Sequence, residues 1–366
     1  MIMPLAFGVL ATAWTIGLVV APSRSRLRSF VNAIFPICTF AVFAVIFAVH
    51  ANTEVFDKWI YTAELQTVAG HSLSDAFSAT LATAREPLYV LFIWVTSGGG
   101  QTTAWLYLWV GITCTVTYLI ALLRLVEWWQ APFVFLATLA LGVFTAYSSL
   151  AIRQGLSMAC LFAAICLILA RRRAVWWIFL LVAAALFHWS AIPVALSLAV
   201  LGRVSIGLRT ALIAWSIAAV LFLTGIQSWL LAPVSQYIPG MAAYTDLSVS
   251  ATYAGGTNRI DFFLVSGAIL LVGLFALRFA TVPDWYSRAV VIYVLLNIYF
   301  LLFGFILYSD RIAVYSWSLI PLIVAVPVAS PKSSVGRVIS AVFVLGVVAV
   351  GTMYGPFLAM TGFESY

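Results

Sequence analysis

An all-α, polytopic integral membrane protein is the fold class that this sequence predicts, and three observations predict it. Hydrophobic residues make up 64% of the 366, and charged residues only 8%. Apolar runs of about 16 to 20 residues, long enough to cross a bilayer as helix, recur from end to end. The runs are unbroken, whereas a transmembrane barrel would show alternating strands of about ten residues.

Taken in order, the apolar segments fall near 5–20, 31–49, 103–123, 131–147, 151–170, 174–188, 190–201, 209–226, 260–277, 289–307, 312–329 and 338–356. That predicts about 11–12 transmembrane helices in a single transmembrane domain, residues 1–366. The first segment has no basic residue before it and Arg24, Arg26 and Arg28 after it, the reverse of a signal peptide, so it is expected to stay as an anchor. Between the second and third, Pro87 to Thr96 is apolar but about ten residues long and too short to cross. A short re-entrant or interfacial outer helix is expected there. The neighbours 174–188 and 190–201 are also short, and read either as a tight hairpin or as one long helix broken near Pro193. The hairpin keeps Arg203 and Arg209 on the side of the other arginines, whereas a single crossing would invert every later loop.

Orientation follows from the basic residues, because positively charged loops stay cytoplasmic. Thirteen of the eighteen lysines and arginines then lie inside, and Lys58, Arg85, Arg153, Arg259 and Arg311 lie outside. Of the eleven acids only Glu127 and Asp284 are inside, and both termini come out on the outer face. The net charge of +7 therefore reads as topology and anionic-lipid contact, not nucleic-acid binding. Cys38, Cys114, Cys160 and Cys166 sit in apolar segments with no CxxC spacing, so core packing is expected rather than a disulfide framework or a zinc site. There is no internal repeat or low-complexity tract. No GxxxxGK[ST] occurs, and Gly98-Gly99-Gly100 is followed by Gln101-Thr102, which argues against an ATP-driven pump.

Two outer segments, about 50–102 and 227–259, are longer than a connection requires, and long ordered loops usually carry function. The first holds Glu54, Asp57, Lys58, Glu64, His71, Asp75, Arg85 and Glu86; the second is rich in Tyr, Ser, Gly and Pro. Trp59, Tyr61, Trp229, Tyr237, Tyr244 and Tyr253 suit an interfacial belt, and aromatic faces also stack on sugar rings.

Three points stand out on the outer side. Arg153 opens an apolar helix, where a buried arginine costs up to about 2.5–3.5 kcal/mol at the bilayer centre. Either a salt bridge or snorkelling offsets that cost, or the arginine belongs to an anion site aided by the helix dipole. His188 is a packing residue or a proton acceptor for a sugar hydroxyl. Arg311 is either neutralised by Asp310 or joins Arg153 over one cavity, where forked guanidiniums would match a diphosphate. Arg259 with Asp261, and Arg85 with Glu86, repeat the pattern of an outward arginine beside an acid.

Five short motifs occur in order: Asp57-Lys58-Trp59-Ile60-Tyr61, Arg85-Glu86-Pro87-Leu88-Tyr89, Ile152-Arg153-Gln154-Gly155-Leu156, Phe187-His188-Trp189-Ser190-Ala191 and Asp310-Arg311-Ile312-Ala313-Val314-Tyr315. In these the chain resembles the EpsG family of Wzy-like polysaccharide polymerases, and through it the GT-C-like membrane glycosyltransferases. The resemblance runs from the first outer loop to the penultimate helices, with no matching motif from Arg203 to Asn258. It implies a polymerase in the bacterial cytoplasmic membrane, its active site facing outward, that transfers an undecaprenyl-diphosphate-linked glycan onto the sugar of another lipid-linked repeat. On that resemblance Arg153 and Arg311 hold the diphosphate with Arg85 and Arg259 beside them, and His188 is the general base with Glu86 and Asp57 in reserve. Tyr61, Gln154, Ser190 and Tyr315 are the glycan-contacting candidates. No cofactor is expected, and metal-free transfer is favoured, since the outward acids show no ligand spacing. The implied partners are the lipid-linked donor and acceptor, the bilayer, and a flippase and chain-length regulator of the same route. A lipid-linked oligosaccharide flippase would need polar groups along a path to the inner side, and a transferase using a polyprenyl-monophosphate sugar would differ only in its donor. A membrane O-acyltransferase would leave the outward arginines without a role.

Overall fold

The computed structural model describes residues 56–81, 86–127, 130–140, 143–149, 151–235, 237 and 257–328, with scattered positions between 34 and 46. The expected first and last segments, 5–20 and 338–356, lie outside the described residues. So do both termini.

The first outer segment folds into α1 (Phe56–Val68), α2 (Leu73–Leu81) and α3 (Pro87–Ser97). At 11 residues α3 is too short to cross, and Pro87 at its first position supplies the φ that a helix start needs. These helices are tied to one another and to the next span by polar bonds. Trp94 Nε1 donates to the His71 carbonyl at 3.0 Å, Trp105 Nε1 to the Thr96 carbonyl at 2.7 Å, and the Thr62 and Thr103 hydroxyls meet at 2.8 Å. Lys58 is buried, with its Nζ 4.7 Å from the centre of the Tyr107 ring.

The spans follow as α4 (Thr103–Leu125), α5 (Ala131–Ala140), α6 (Val143–Ser149), α7 (Ile152–Leu169), α8 (Ala174–Phe187), a 3-10 turn (Trp189–Ala191) and α9 (Ile192–Leu201). Beyond them lie α10 (Leu208–Thr224), α11 (Ile226–Ser235), α12 (Ile260–Phe279), α13 (Tyr286–Phe303), α14 (Asp310–Trp317) and α15 (Ile320–Val328). Among the described residues, five helical stretches are long and apolar enough to cross a membrane, or six if the bent pair α10 and α11 is taken as one span. The protein is a multi-pass membrane protein.

Among the described residues an apolar segment need not be one continuous helix, because hydropathy registers composition rather than continuity. Segment 312–329 is divided between α14 and α15. Broken helices are tolerated at membrane depth where neighbouring protein covers the freed backbone groups. The α14–α15 stretch, Asp310–Pro327, meets that condition, since most of it is buried.

Segment 174–201 is a hairpin. A side chain built on Gly202, at the end of α9, would come within 2.8 Å of the Trp177 ring near the start of α8, so the far ends of the two helices lie together. Arg288 Nη2, near the start of α13, donates to the Leu201 carbonyl at 2.6 Å and so joins the same end. Arg171, Arg172, Arg173, Arg203 and Arg288 thus gather at one end of the bundle, while α7 begins and α8 finishes at the other.

Packing within the spans uses close contact and buried polar bonds. In α7, Gly155 allows the Tyr147 carbonyl to approach so closely that a β-carbon would stand 2.0 Å from its oxygen, and Tyr118 stacks on Phe162 at 4.0 Å. Small residues that let backbones approach in this way drive helix association in membranes. Further along, Trp215 Nε1 donates to Asn297 Oδ1, Asn297 Nδ2 to Ser316 Oγ, Trp317 Nε1 to Ser266 Oγ, and the Tyr293 hydroxyl to the Ser266 carbonyl. These bonds lash α10, α12 and α13 to α14. Cys114 and Cys166 are buried as expected of core residues, but Cys38 is exposed.

Candidate active site

The residue before a proline is driven to extended backbone, and Glu86, preceding Pro87, takes φ −69° and ψ 128°. Its carboxylate does not cap α3. Oε2 instead accepts a hydrogen bond from Arg153 Nη1 at 2.9 Å, and Oε1 pairs with His188 Nδ1 at 2.9 Å. Two donors from two other elements therefore converge on one carboxylate whose side chain is 4% exposed. Burial alone would raise the Glu86 pKa. The His188 hydrogen bond and the Arg153 charge outweigh it and hold the group at about 2. Glu86 is thus an anion at any physiological pH and a poor proton acceptor.

His188 sits in the turn that ends α8, in extended conformation at φ −158°, where its backbone N–H closes the helix on Ala184. The carbonyl of Ala184 also accepts the Ser157 hydroxyl of α7 at 2.8 Å, fixing the turn against the arginine helix. Because ionised Glu86 can only accept, the Nδ1 that faces it carries the proton in the neutral ring. Nε2 then holds the lone pair. Burial, with the positive charges of Arg153 and Arg311, pulls the imidazole pKa below its ordinary 6.5 despite the carboxylate. The side chain keeps 15% exposure, and Nε2 has no hydrogen-bond partner among the described residues.

Arg153 is the second residue of α7, its guanidinium 5.7 Å from the Tyr61 ring centre and 5.8 Å from that of Tyr89. Glu64, on α1, adds a second negative charge nearby. Only Nη1 is engaged by a hydrogen bond; Nε is buried without one. The Nε/Nη2 side of the fork, the side that meets a carboxylate or phosphate bidentately, has no hydrogen-bond partner among the described residues.

Arg311 is brought to the same place through its neighbours. Gln154 Nε2 donates to the Arg311 carbonyl, and the Ser190 and Tyr315 hydroxyls meet at 2.6 Å, so α7 and the His188 turn are each bridged once to α14. The turn before α14 requires left-handed backbone at Tyr308, φ 58°, and the Arg311 guanidinium lies over that ring at 4.7 Å.

Four sequence motifs, those around Glu86, Arg153, His188 and Arg311, therefore meet at one end of the bundle. The glycan-contacting expectations fare differently. Tyr61, Gln154 and Tyr315 are buried, their ring, amide and hydroxyl turned to Arg153, Arg311 and Ser190. Ser190 is half-buried. Arg259 forms a pair of its own: Nε and Nη2 both bond Asp261, and the guanidinium lies over Phe262. Asp57 belongs to α1 but its side chain lies outside the described residues, as does Arg85. Tyr89 carried no assignment from sequence. Its signal was the spacing Glu86-Pro87-Leu88-Tyr89, which puts it one turn from Glu86 in a helix where a buried tyrosine hydroxyl is out of place.

The model of the EpsG family matches residues 33–362, nearly the whole chain. The chain belongs to the EpsG family. No curated protein and no solved structure matches it. EpsG membership supports a polysaccharide polymerase-like role, and the match takes in all four converging motifs.

Proposed function

We propose that the protein is a Wzy-like polysaccharide polymerase, a metal-independent membrane glycosyltransferase of GT-C-like type acting at the outer face of the bacterial cytoplasmic membrane. Its donor is an undecaprenyl-diphosphate-linked glycan and its acceptor the sugar of another lipid-linked repeat. The observation that carries this reading is the three-residue bridge in which Glu86 accepts from both Arg153 and His188.

In that bridge Glu86 fixes the tautomer and aim of His188, as a carboxylate does for a histidine base in other transferases and hydrolases. His188 Nε2 takes the proton of the acceptor hydroxyl as its oxygen attacks the anomeric carbon of the donor. The bond from that carbon to the diphosphate oxygen breaks, and the electron pair leaves with the undecaprenyl diphosphate. The open fork of Arg153, with Arg311 beside it, stabilises the charge that develops on the leaving oxygens. Arg153 performs this role while neutralised by Glu86 in the resting protein, so the ligand-free site does not strand a buried cation.

Purified protein in detergent, given a synthetic polyprenyl-diphosphate repeat, should yield a ladder of glycan products. With a polyprenyl-monophosphate sugar it should yield none. Transfer from the monophosphate alone would reassign the donor, and transport without any ladder would replace the reading with a flippase.

A further inference from the structure

After α10 the chain turns through 98° into α11. Gly225 makes the turn at φ 75°, left-handed backbone that glycine adopts at no steric cost. The residues of α11 are then distributed inside out for a helix in water. Its fully buried side chain is a glutamine, Gln227, whose Nε2 donates to Asn258 Oδ1 at 2.8 Å. Its large exposed side chains are Ile226, Trp229, Leu230 and Val234, with Trp229 at 79% and Tyr237 just beyond at 83%. A surface helix in water buries its apolar stripe and exposes its polar one. Nor does Ile226–Ser235 contain a charged residue.

The exposed face does not begin at the bend. In α10, Ile213, Ile217, Val220 and Leu223 are exposed at helical spacing, the face that a span turns to lipid, and α11 continues it around the corner. At 1.5 Å per residue the 17 residues of α10 rise about 25 Å. A right-angled turn at that height leaves the next helix near the membrane boundary, where tryptophan and tyrosine are enriched.

We propose that α11 lies flat in the boundary between headgroups and acyl chains, with Ile226, Trp229, Leu230 and Val234 against bilayer lipid and Gln227 holding it to the protein. The lipid leaflet is its partner. The contact also sets the height of the neighbouring elements, because Asn258, which receives Gln227, donates its backbone N–H to the Gly304 carbonyl at 2.7 Å, just before the turn that presents Arg311. This inference does not depend on the proposed reaction.

Spin labelling of the full-length chain in phosphatidylethanolamine–phosphatidylglycerol nanodiscs tests it. With the four native cysteines replaced by alanine, nitroxides are attached singly through Ile226→Cys, Trp229→Cys, Leu230→Cys and Val234→Cys. Oxygen should collide with all four more often than the water-soluble nickel chelate does, at one shared shallow depth. A depth that increases steadily from 226 to 234 would make α11 part of a span, and dominance of the nickel chelate would put it in water. Low accessibility to both, relieved by lipid dilution, would assign the face to a second copy of the chain. Each of those three outcomes overturns the proposal. Hydroxyl-radical footprinting of the unsubstituted chain in the same nanodiscs supplies a second measurement: Trp229 should resist oxidation, and ready oxidation would again place it in water.

Discussion

Arg153 and Arg259 look alike in sequence, each an outward arginine at the start of an apolar helix, but the fold treats them oppositely. Arg259 is closed on by Asp261 two residues away, which occupies both nitrogens of its side-on fork. The partner of Arg153 lies 67 residues distant and takes only Nη1, leaving the fork facing away from the ion pair. Asp261 is about half exposed at 49%, whereas Glu86 is shut in at 4% and shared with His188. A short-range pair occupies the Nε/Nη2 fork of its arginine and leaves Nη1 outside the pair. A long-range pair can neutralise an arginine and still present it.

The largest effects should come from the Glu86 bridge. His188→Ala and His188→Gln are expected to lower transfer by on the order of 10²- to 10⁴-fold while donor binding persists, because the base is lost and the arginines remain. Glu86→Gln should cause a comparable loss, since an amide keeps one acceptor oxygen where Arg153 and His188 use two, and carries no charge. Retained activity in His188→Gln combined with none in Glu86→Gln would make Glu86 the base, in spite of its low pKa.

Next comes the fork itself. Arg153→Lys should reduce transfer roughly 10- to 100-fold, the value of about 1.5–3 kcal/mol for hydrogen bonds to a charged group that a point charge cannot reproduce. Protein yield and melting temperature should change little by comparison. If both fall and the specific activity of the surviving protein is normal, the arginine is only structural.

Gly155→Ala is expected to act on the support beneath Arg153. Because the added carbon would stand 2.0 Å from the Tyr147 carbonyl, α6 and α7 must separate, at a cost of about 1–3 kcal/mol in stability. A lowered melting temperature in detergent would register it, and an unchanged one would mean that the helices shift freely.

The pH profile should be gentler. A base works when neutral, and the His188 pKa is held below 6.5, so the rate should hold through pH 6.5 and fall only in more acidic buffer. An inflection at or above 6.5 would contradict the buried, doubly cation-flanked environment. Glu86, depressed from 4.5 to about 2, contributes stability that is fully present above about pH 4.5 and lost as pH falls towards 2.

Arg259→Lys should have the smallest effect, less than about fivefold on transfer, because its partner Asp261 is half exposed and a pair screened in this way is worth at most about 1 kcal/mol. A loss matching that of Arg153→Lys would erase the contrast between the two arginines and restore Arg259 as a diphosphate ligand.

Much of this molecule is legible in its sequence because the bilayer imposes local rules. Long apolar runs must be helical to satisfy their own backbone, so the fold class follows from composition, and Pro87, too close to Thr96 for a crossing, announces α3. The arginines that cluster at one end of the bundle are spaced along the chain as the span ends are. The motifs around Glu86, Arg153, His188 and Arg311 could be read as polar exceptions in an apolar chain, since such residues are costly without a purpose. What periodicity does not contain is which exception meets which. Glu86 lies beside Arg85 in sequence, yet its partners stand 67 and 102 residues away. Tyr61, Gln154 and Tyr315, as plausible in sequence as Ser190, lie buried while Ser190 is half-buried. Only the tertiary structure decides these matters, because pairing between helices depends on contacts as specific as Gly155 on Tyr147, and side-chain direction on what each neighbouring helix leaves unfilled.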